Sequence, residues 1–235
     1  MKRFERLDEA TAPDGTRLVL FRHDGAYLIH VNGLELMSTR RHQSEDLLAE
    51  VACAPLTDVP APRVLIGGLG LGFTLRAALR LLPPGADVVV AELVESVIRW
   101  NADPDLAIST EALRDARVRL VHGDVAALLA APAEGYDAIM LDVDNGAEAL
   151  TTAANAALYD DAGIRAAIAA LRPGGRVAYW SATLDPAFAR AMRRAGLEVE
   201  EIATRAHGGK GAHHAIYLGR RSAGAGALTS PALPR

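Results

Sequence analysis

The sequence predicts an α/β fold, a mainly parallel sheet with helices on both faces, preceded by a small antiparallel β module. Three observations predict it. From Val64 onward short apolar segments alternate with helical ones, the pattern of strands joined by crossover helices. The first of those segments, Val64-Leu65-Ile66, runs straight into a glycine-dense turn and then a helix, as a strand does when it delivers a ligand-binding loop. Before Pro60 the pattern differs, with short alternating segments joined by tight turns.

In the first 40 residues, 17–22 and 26–31 read as strands flanking the turn His23-Asp24-Gly25, and Asn32-Gly33 leads into a strand over 34–37. A helix follows from Ser44, with Ser44 as its cap, Leu47, Leu48 and Val51 on one face, and Pro55 to stop it. Pro60 and Pro62 mark the passage into the main domain, which gives a β module with linking helix over 1–60 and the larger domain over 61–221. The main domain's strands are expected at 64–67, 87–92, 117–121, 137–142 and 176–181. Asp161 opens a helix that Pro173-Gly174-Gly175 closes, and Asp185-Pro186 opens another that ends at Gly196. Two further strands, about 197–204 and 213–219, form a terminal antiparallel pair, and the tail 222–235, rich in Ala, Gly, Ser and Pro, is expected to be unstructured.

Composition excludes several classes. The 235 residues allow one full α/β core and a small appendage. A net charge of -4 without any Lys/Arg cluster gives no footprint for nucleic acid. The single cysteine, Cys53, excludes an intramolecular disulfide and a Cys-cluster metal site. The start Met1-Lys2-Arg3-Phe4-Glu5-Arg6 lacks the apolar core of a signal peptide, and no apolar run reaches the roughly 18 residues of a membrane span. A cytoplasmic protein that acts on a small molecule, away from membranes, is the expectation.

The chemistry concentrates at the expected strand ends. Gly67, Gly68, Gly70 and Gly72 let the backbone approach a ligand, but no frame gives G-x-G-x-x-G, because Phe73 falls where the third glycine of a dinucleotide fingerprint belongs. Glu92 follows Gly72 by 20 residues at the end of the second strand, where a carboxylate accepts from both hydroxyls of a ribose. Glu95 is its rival. Asp124, after Gly123, is placed to accept from an adenine amino group while the Val125 amide donates to a ring nitrogen, and Asp142 ends the fourth strand. Each acid taken singly is also an ordinary cap or turn residue. Their arrival in order on four successive strands is what points to a nucleoside site.

The histidines carry no comparable pattern. His213 and His214 precede the last strand, where adjacent side chains point to opposite faces, and no acid stands near them, so no metal is expected. The stretch Gly208-Gly209-Lys210-Gly211 reads instead as a rim of the site, with Lys210 as an anion contact.

The compact G-x-G-x-G turn is similar to the first motif of class I S-adenosylmethionine (AdoMet) enzymes. Taken with Ala91-Glu92-Leu93, the run Arg117 to Asp124, Tyr136 to Asp142, Leu158-Tyr159 and Leu171-Arg172-Pro173-Gly174-Gly175, the chain resembles the spermidine synthase (polyamine aminopropyltransferase) family over roughly residues 17 to 220. The front end, a small sheet and a helix carrying Glu50 before Pro55-Leu56, resembles that family's N-terminal module. The resemblance implies a class I methyltransferase-like fold, AdoMet or decarboxylated AdoMet as donor substrate, and pairing into homodimers. It also implies that His42, Gln43 and Ser44, at the junction of the N-terminal sheet and helix, face the donor pocket from above. The departures fall where the family's special chemistry sits. Gly70 stands where the family has an Asp that holds the donor's amine, Leu48 replaces a Tyr, and Asp142-Val143-Asp144-Asn145-Gly146 replaces D-x-x-D-P.

The function expected from these residues is alkyl transfer from an AdoMet-type donor to a small-molecule amine. Asp142 is the first candidate for orienting or deprotonating the acceptor and Asp144 the second, with Tyr159 and Trp180 as walls of the acceptor pocket. Asn145-Gly146 also reads as a plain turn, and Trp180 as a core residue. The alternatives are a true polyamine aminopropyltransferase and a non-catalytic nucleoside-binding protein.

Overall fold

A computed structural model describes residues 4–132, 134–143, 153–207 and 210–223, with backbone only at 153–154, 205–207 and 210–213. Among them the strands form two sheets. The small sheet is an antiparallel meander of β1 (Glu5–Thr11), β2 (Arg17–His23), β3 (Ala26–Val31) and β4 (Leu34–Ser38). Its two tight turns place Asp24 and Gly25, then Asn32 and Gly33, at positive φ, the conformation that two-residue hairpins require. Strand β1 was not expected from the sequence. Its charged residues form cross-strand ion pairs, Arg17 with Glu9 at 2.6 Å and Arg22 with Glu5 at 2.8 Å, so an edge strand reads as a polar stretch.

The large sheet contains β5 (Arg63–Gly67), β6 (Asp87–Glu92), β7 (Val118–His122), β8 (Tyr136–Leu141), β9 (Leu171–Ser181), β10 (Glu198–His207) and β11 (Lys210–Arg220), in spatial order β10-β11-β9-β8-β5-β6-β7. The contacts β9·β8, β8·β5, β5·β6 and β6·β7 are parallel, and β11 runs antiparallel to both its neighbours. Val88, Val89 and Val90 are fully buried, as expected for a central strand covered on both faces. One face carries Val64, Ile66, Val88 and Val90, and the other Leu65, Val89 and Ile139.

The helices that shape the site are α1 (Gln43–Cys53), α2 (Phe73–Leu81), α3 (Glu95–Ala102), α4 (Thr110–Leu113) and α5 (Val125–Ala130), followed by a short α6 (Ala153–Ala156), α7 (Asp161–Ala170) and α8 (Pro186–Arg194). Helix α1 lies against α2 and the β8, β9 and β11 part of the large sheet, so the linking helix completes the main core. Two expected caps move. Ser44 is buried inside α1, whose cap position is His42, two residues earlier; the His42 ring stacks on Phe73 at 4.3 Å and bonds Asp46 at 2.7 Å. Asp160, rather than Asp161, caps α7 by accepting from the amides of Ala162 and Gly163. Asp185 caps α8 as the sequence predicts, with Pro186 in the first turn. Strand β9 begins at Leu171, earlier than the expected 176, because Leu171 pairs with Tyr136 before Pro173-Gly174-Gly175 bulges out of register.

Gly72 illustrates how tightly the loop after β5 is set. It sits at φ +73°, and a Cβ there would lie 2.0 Å from the Ser109 hydroxyl, which donates to the Leu71 carbonyl at 2.9 Å. Gly72→Ala is therefore expected to cost about 1–3 kcal/mol in denaturant unfolding, from backbone strain and overpacking together. A variant as stable as the parent would show that Ser109 yields freely.

Candidate active site

The four glycines after β5 divide into two kinds. Gly68, at φ +90°, has no room for a side chain because a Cβ would stand 2.3 Å from the Asp142 carbonyl oxygen, and at Gly70, φ +51°, a Cβ would meet the end of the Met37 side chain at 2.8–2.9 Å. Both line a cavity at the C-terminal ends of β5, β6, β7 and β8. Gly67 and Gly72 do not line it. Gly67 lets β5 approach Val125 and Leu141, and Gly72 lets the loop pass Ser109, so these two serve packing.

Glu92 ends β6 and lines the cavity, while its rival Glu95 opens α3 outside the lining. Only 8% of Glu92 is exposed. Its carboxylate accepts from the Leu69 amide at 2.9 Å and from the Val94 amide at 2.8 Å, which ties it to the glycine loop. Burial pushes its pKa up, and those amides pull the other way. Asp124 caps α5 by accepting from the Ala126 amide at 2.8 Å, and it borders the same cavity beside Val125. Cap and cavity residue are one and the same here.

Asp142, just past β8, also lines the cavity and accepts from the Thr74 hydroxyl at 2.6 Å. Burial lifts its pKa to about 6, and the Thr74 bond opposes the rise. Glu45, in the first turn of α1, is lifted to about 7 by burial and then by the charge of Asp142, against a lowering hydrogen bond from Ser44. The first turns of α1 and α2 and the end of β8 therefore bring two carboxylates and one hydroxyl together. Glu45 and Thr74 escaped the sequence reading. An acid in the first turn of a helix is the ordinary response to the helix dipole, so only tertiary contact reveals what Glu45 faces. Asp144, Asn145 and Gly146 lie outside the described residues, as do Gly208 and Gly209.

The remaining wall was also hidden from the sequence. Leu18, Ile29, Leu36 and Met37, all from the small sheet, cover the cavity with apolar surface. Gln43, Tyr159 and Trp180, expected at the pocket, do not line it. Gln43 is exposed at the start of α1. Tyr159 donates to the Trp180 carbonyl at 2.8 Å, packs on Tyr179 and Phe188, and borders a second cavity with Asp185 and Tyr217 on the other side of the sheet. Trp180 packs on the α1 side, beside His214. Among the described residues, no group of three or more His, Cys, Asp or Glu side chains assembles into a metal-binding cluster, and no helix is long and apolar enough to cross a membrane.

With that geometry, comparison with solved structures is decisive for the fold. A spermidine synthase in complex with the transition-state analogue AdoDATO superposes with a TM-score of 0.75 at 17% identity, covering 92% of this chain and 74% of that one. The chain has the spermidine synthase fold. The spermidine synthase from Thermotoga maritima gives a TM-score of 0.69 at 16% identity over 92% of this chain and 72% of the other. A probable spermidine synthase from Corynebacterium glutamicum gives 0.64 at 17% identity over 92% and 79%. No protein-family model and no curated protein matches the sequence. The likeness to the spermidine synthases is thus one of architecture, and it embraces the small sheet, α1 and the large sheet together.

Proposed function

We propose that this chain is an alkyl transferase that uses AdoMet or decarboxylated AdoMet as donor and a small-molecule amine as acceptor. The observation that carries this reading is one cavity, at the C-terminal ends of the parallel strands, bordered by Glu92, Asp124 and Asp142 together. A nucleoside fits these residues. Glu92, fixed by two loop amides, is the acceptor for ribose hydroxyls, and Asp124 with the Val125 amide meets the adenine edge. Gly68 and Gly70 keep the loop flat where the ligand would pass.

A sulfonium donor supplies an electrophilic carbon and a neutral thioether leaving group. What remains for the protein is to orient an amine and remove its proton. Asp142 does this with Glu45 behind it. Both carboxyls titrate nearer neutrality than ordinary acids, so the pair is matched to accept a proton near pH 7. Thr74 holds the Asp142 carboxylate in one rotamer. Aminopropyl rather than methyl transfer is favoured by one observation, the AdoDATO complex of the similar spermidine synthase.

Calorimetry with AdoMet, decarboxylated AdoMet and methylthioadenosine tests the donor site. Binding of at least one is expected, and Glu92→Ala should weaken it by roughly 1.5–3 kcal/mol, the cost of losing charge-assisted bonds to a buried diol. Equal affinities in parent and variant would remove Glu92 from the ribose role, and no heat with any of the three would overturn the reading.

A further inference from the structure

Among the described residues, the polar side chains that line the cavity are Glu92, Asp124, Asp142 and Asn155, and the rest of the lining is glycine, alanine or larger apolar residues. The sheet sorts these four. Its strands run β8-β5-β6-β7 beneath the cavity, so Asp124 stands at the β7 end, Glu92 at the β6 end, the glycine loop at β5 and Asp142 at β8. With the base at Asp124 and the ribose at Glu92, the reacting carbon falls between the glycine loop and Asp142. Asn155 belongs to that last end. Its Nδ2 donates to the carbonyl of Val143, the residue that follows Asp142.

Asn155 is the one polar residue in the run Ala153-Ala154-Asn155-Ala156-Ala157-Leu158. Asparagine forms helix less readily than alanine, so the short helix α6 does not call for it. Its bond to Val143 fixes how the amide is turned. A carbonyl only accepts, so the NH₂ group lies on the Val143 side and Oδ1 on the opposite one. An amide oxygen carries two lone pairs and takes an N–H in addition to whatever else it holds.

Alkyl transfer to an amine has a use for such an oxygen. The nitrogen lone pair forms the N–C bond, the C–S bond breaks with its electron pair passing to sulfur, and one N–H proton goes to Asp142. A primary amine carries a second N–H that stays on the product, and it needs an acceptor of its own. We propose that Asn155 Oδ1 accepts this second N–H, which turns the lone pair toward the reacting carbon and makes primary amines the preferred acceptors. This rests on the transferase reading above, in which Asp142 takes the first proton. A secondary amine has one N–H to give, to Asp142, and leaves Asn155 unmatched.

The test is product formation by the full chain, followed by mass spectrometry, with AdoMet and decarboxylated AdoMet both offered as donors. The acceptors are butylamine, 4-aminobutan-1-ol and putrescine, each beside the counterpart methylated on nitrogen. The parent protein should alkylate at least one primary amine at least about tenfold faster than its methylated counterpart. Asn155→Leu, of nearly the same size, should bring that pair level to within a few-fold while methylthioadenosine binds as in the parent, which shows that the variant is folded. Asn155→Asp keeps an acceptor at that point and gives up the donation to Val143, so it should retain the preference. A preference absent from the parent, unchanged in Asn155→Leu, or lost equally in Asn155→Asp overturns the proposal, the last because Asn155 would then act only by holding Val143. No product with any amine would overturn the transferase reading itself, a result distinct from transfer without discrimination.

Discussion

Asp142→Asn should lower turnover at least about a hundredfold while leaving nucleoside affinity nearly unchanged, because a positioned base supplies typically 10² to 10⁴. Asparagine keeps the shape and accepts the Thr74 hydrogen bond but takes no proton, so the loss belongs to kcat and spares donor binding. Alkyl transfer followed by mass spectrometry, beside calorimetry on the same variant, separates the two. Unchanged turnover would make Asp142 structural and direct attention to Asp144.

The second large effect is on stability against pH. Glu45 and Asp142 have folded-state pKa values raised to about 7 and about 6, above their ordinary values of 4.5 and 3.8. The native state thus binds more protons than the unfolded chain between about pH 4 and about pH 7, and stability falls as pH rises through that window. Glu45→Gln removes one charge of the pair. It should therefore gain on the parent by something of the order of 2 kcal/mol between about pH 4.5 and about pH 7.5, read by urea unfolding at each pH. Parallel stability curves for the two proteins would show that Glu45 is solvated and uncoupled.

The parallel core was legible because its signal is local. Val88-Val89-Val90 is a continuous apolar run that only a doubly covered strand needs, and Asp24-Gly25 and Asn32-Gly33 are turn dipeptides whose positive φ requires those residue types. Which acids end the strands could be read for the same reason. What could not be read depends on contacts across the chain. Strand β1 is held by charges paired to β2 and by the Trp100 indole donating to Asp8 at 2.7 Å, a link across 92 residues. Gly67 and Gly72 look like ligand glycines in sequence, yet only the positions of Val125 and Ser109 decide that they serve packing. Glu45 became part of the site because α1 folds back onto the end of β8.

The cover that Leu18, Ile29, Leu36 and Met37 place over the cavity ties ligand occupancy to the small sheet. A nucleoside seated on Glu92 would fill the gap between two sheets and become part of their shared interior, so its binding free energy is also cohesion between the β module and the main domain. Access is left on the side of exposed Asp124, while Met37 closes over Gly70. Under the proposed function, departure of the spent ligand would then depend on how readily the meander gives way, and so on the first forty residues as much as on the bond-making step.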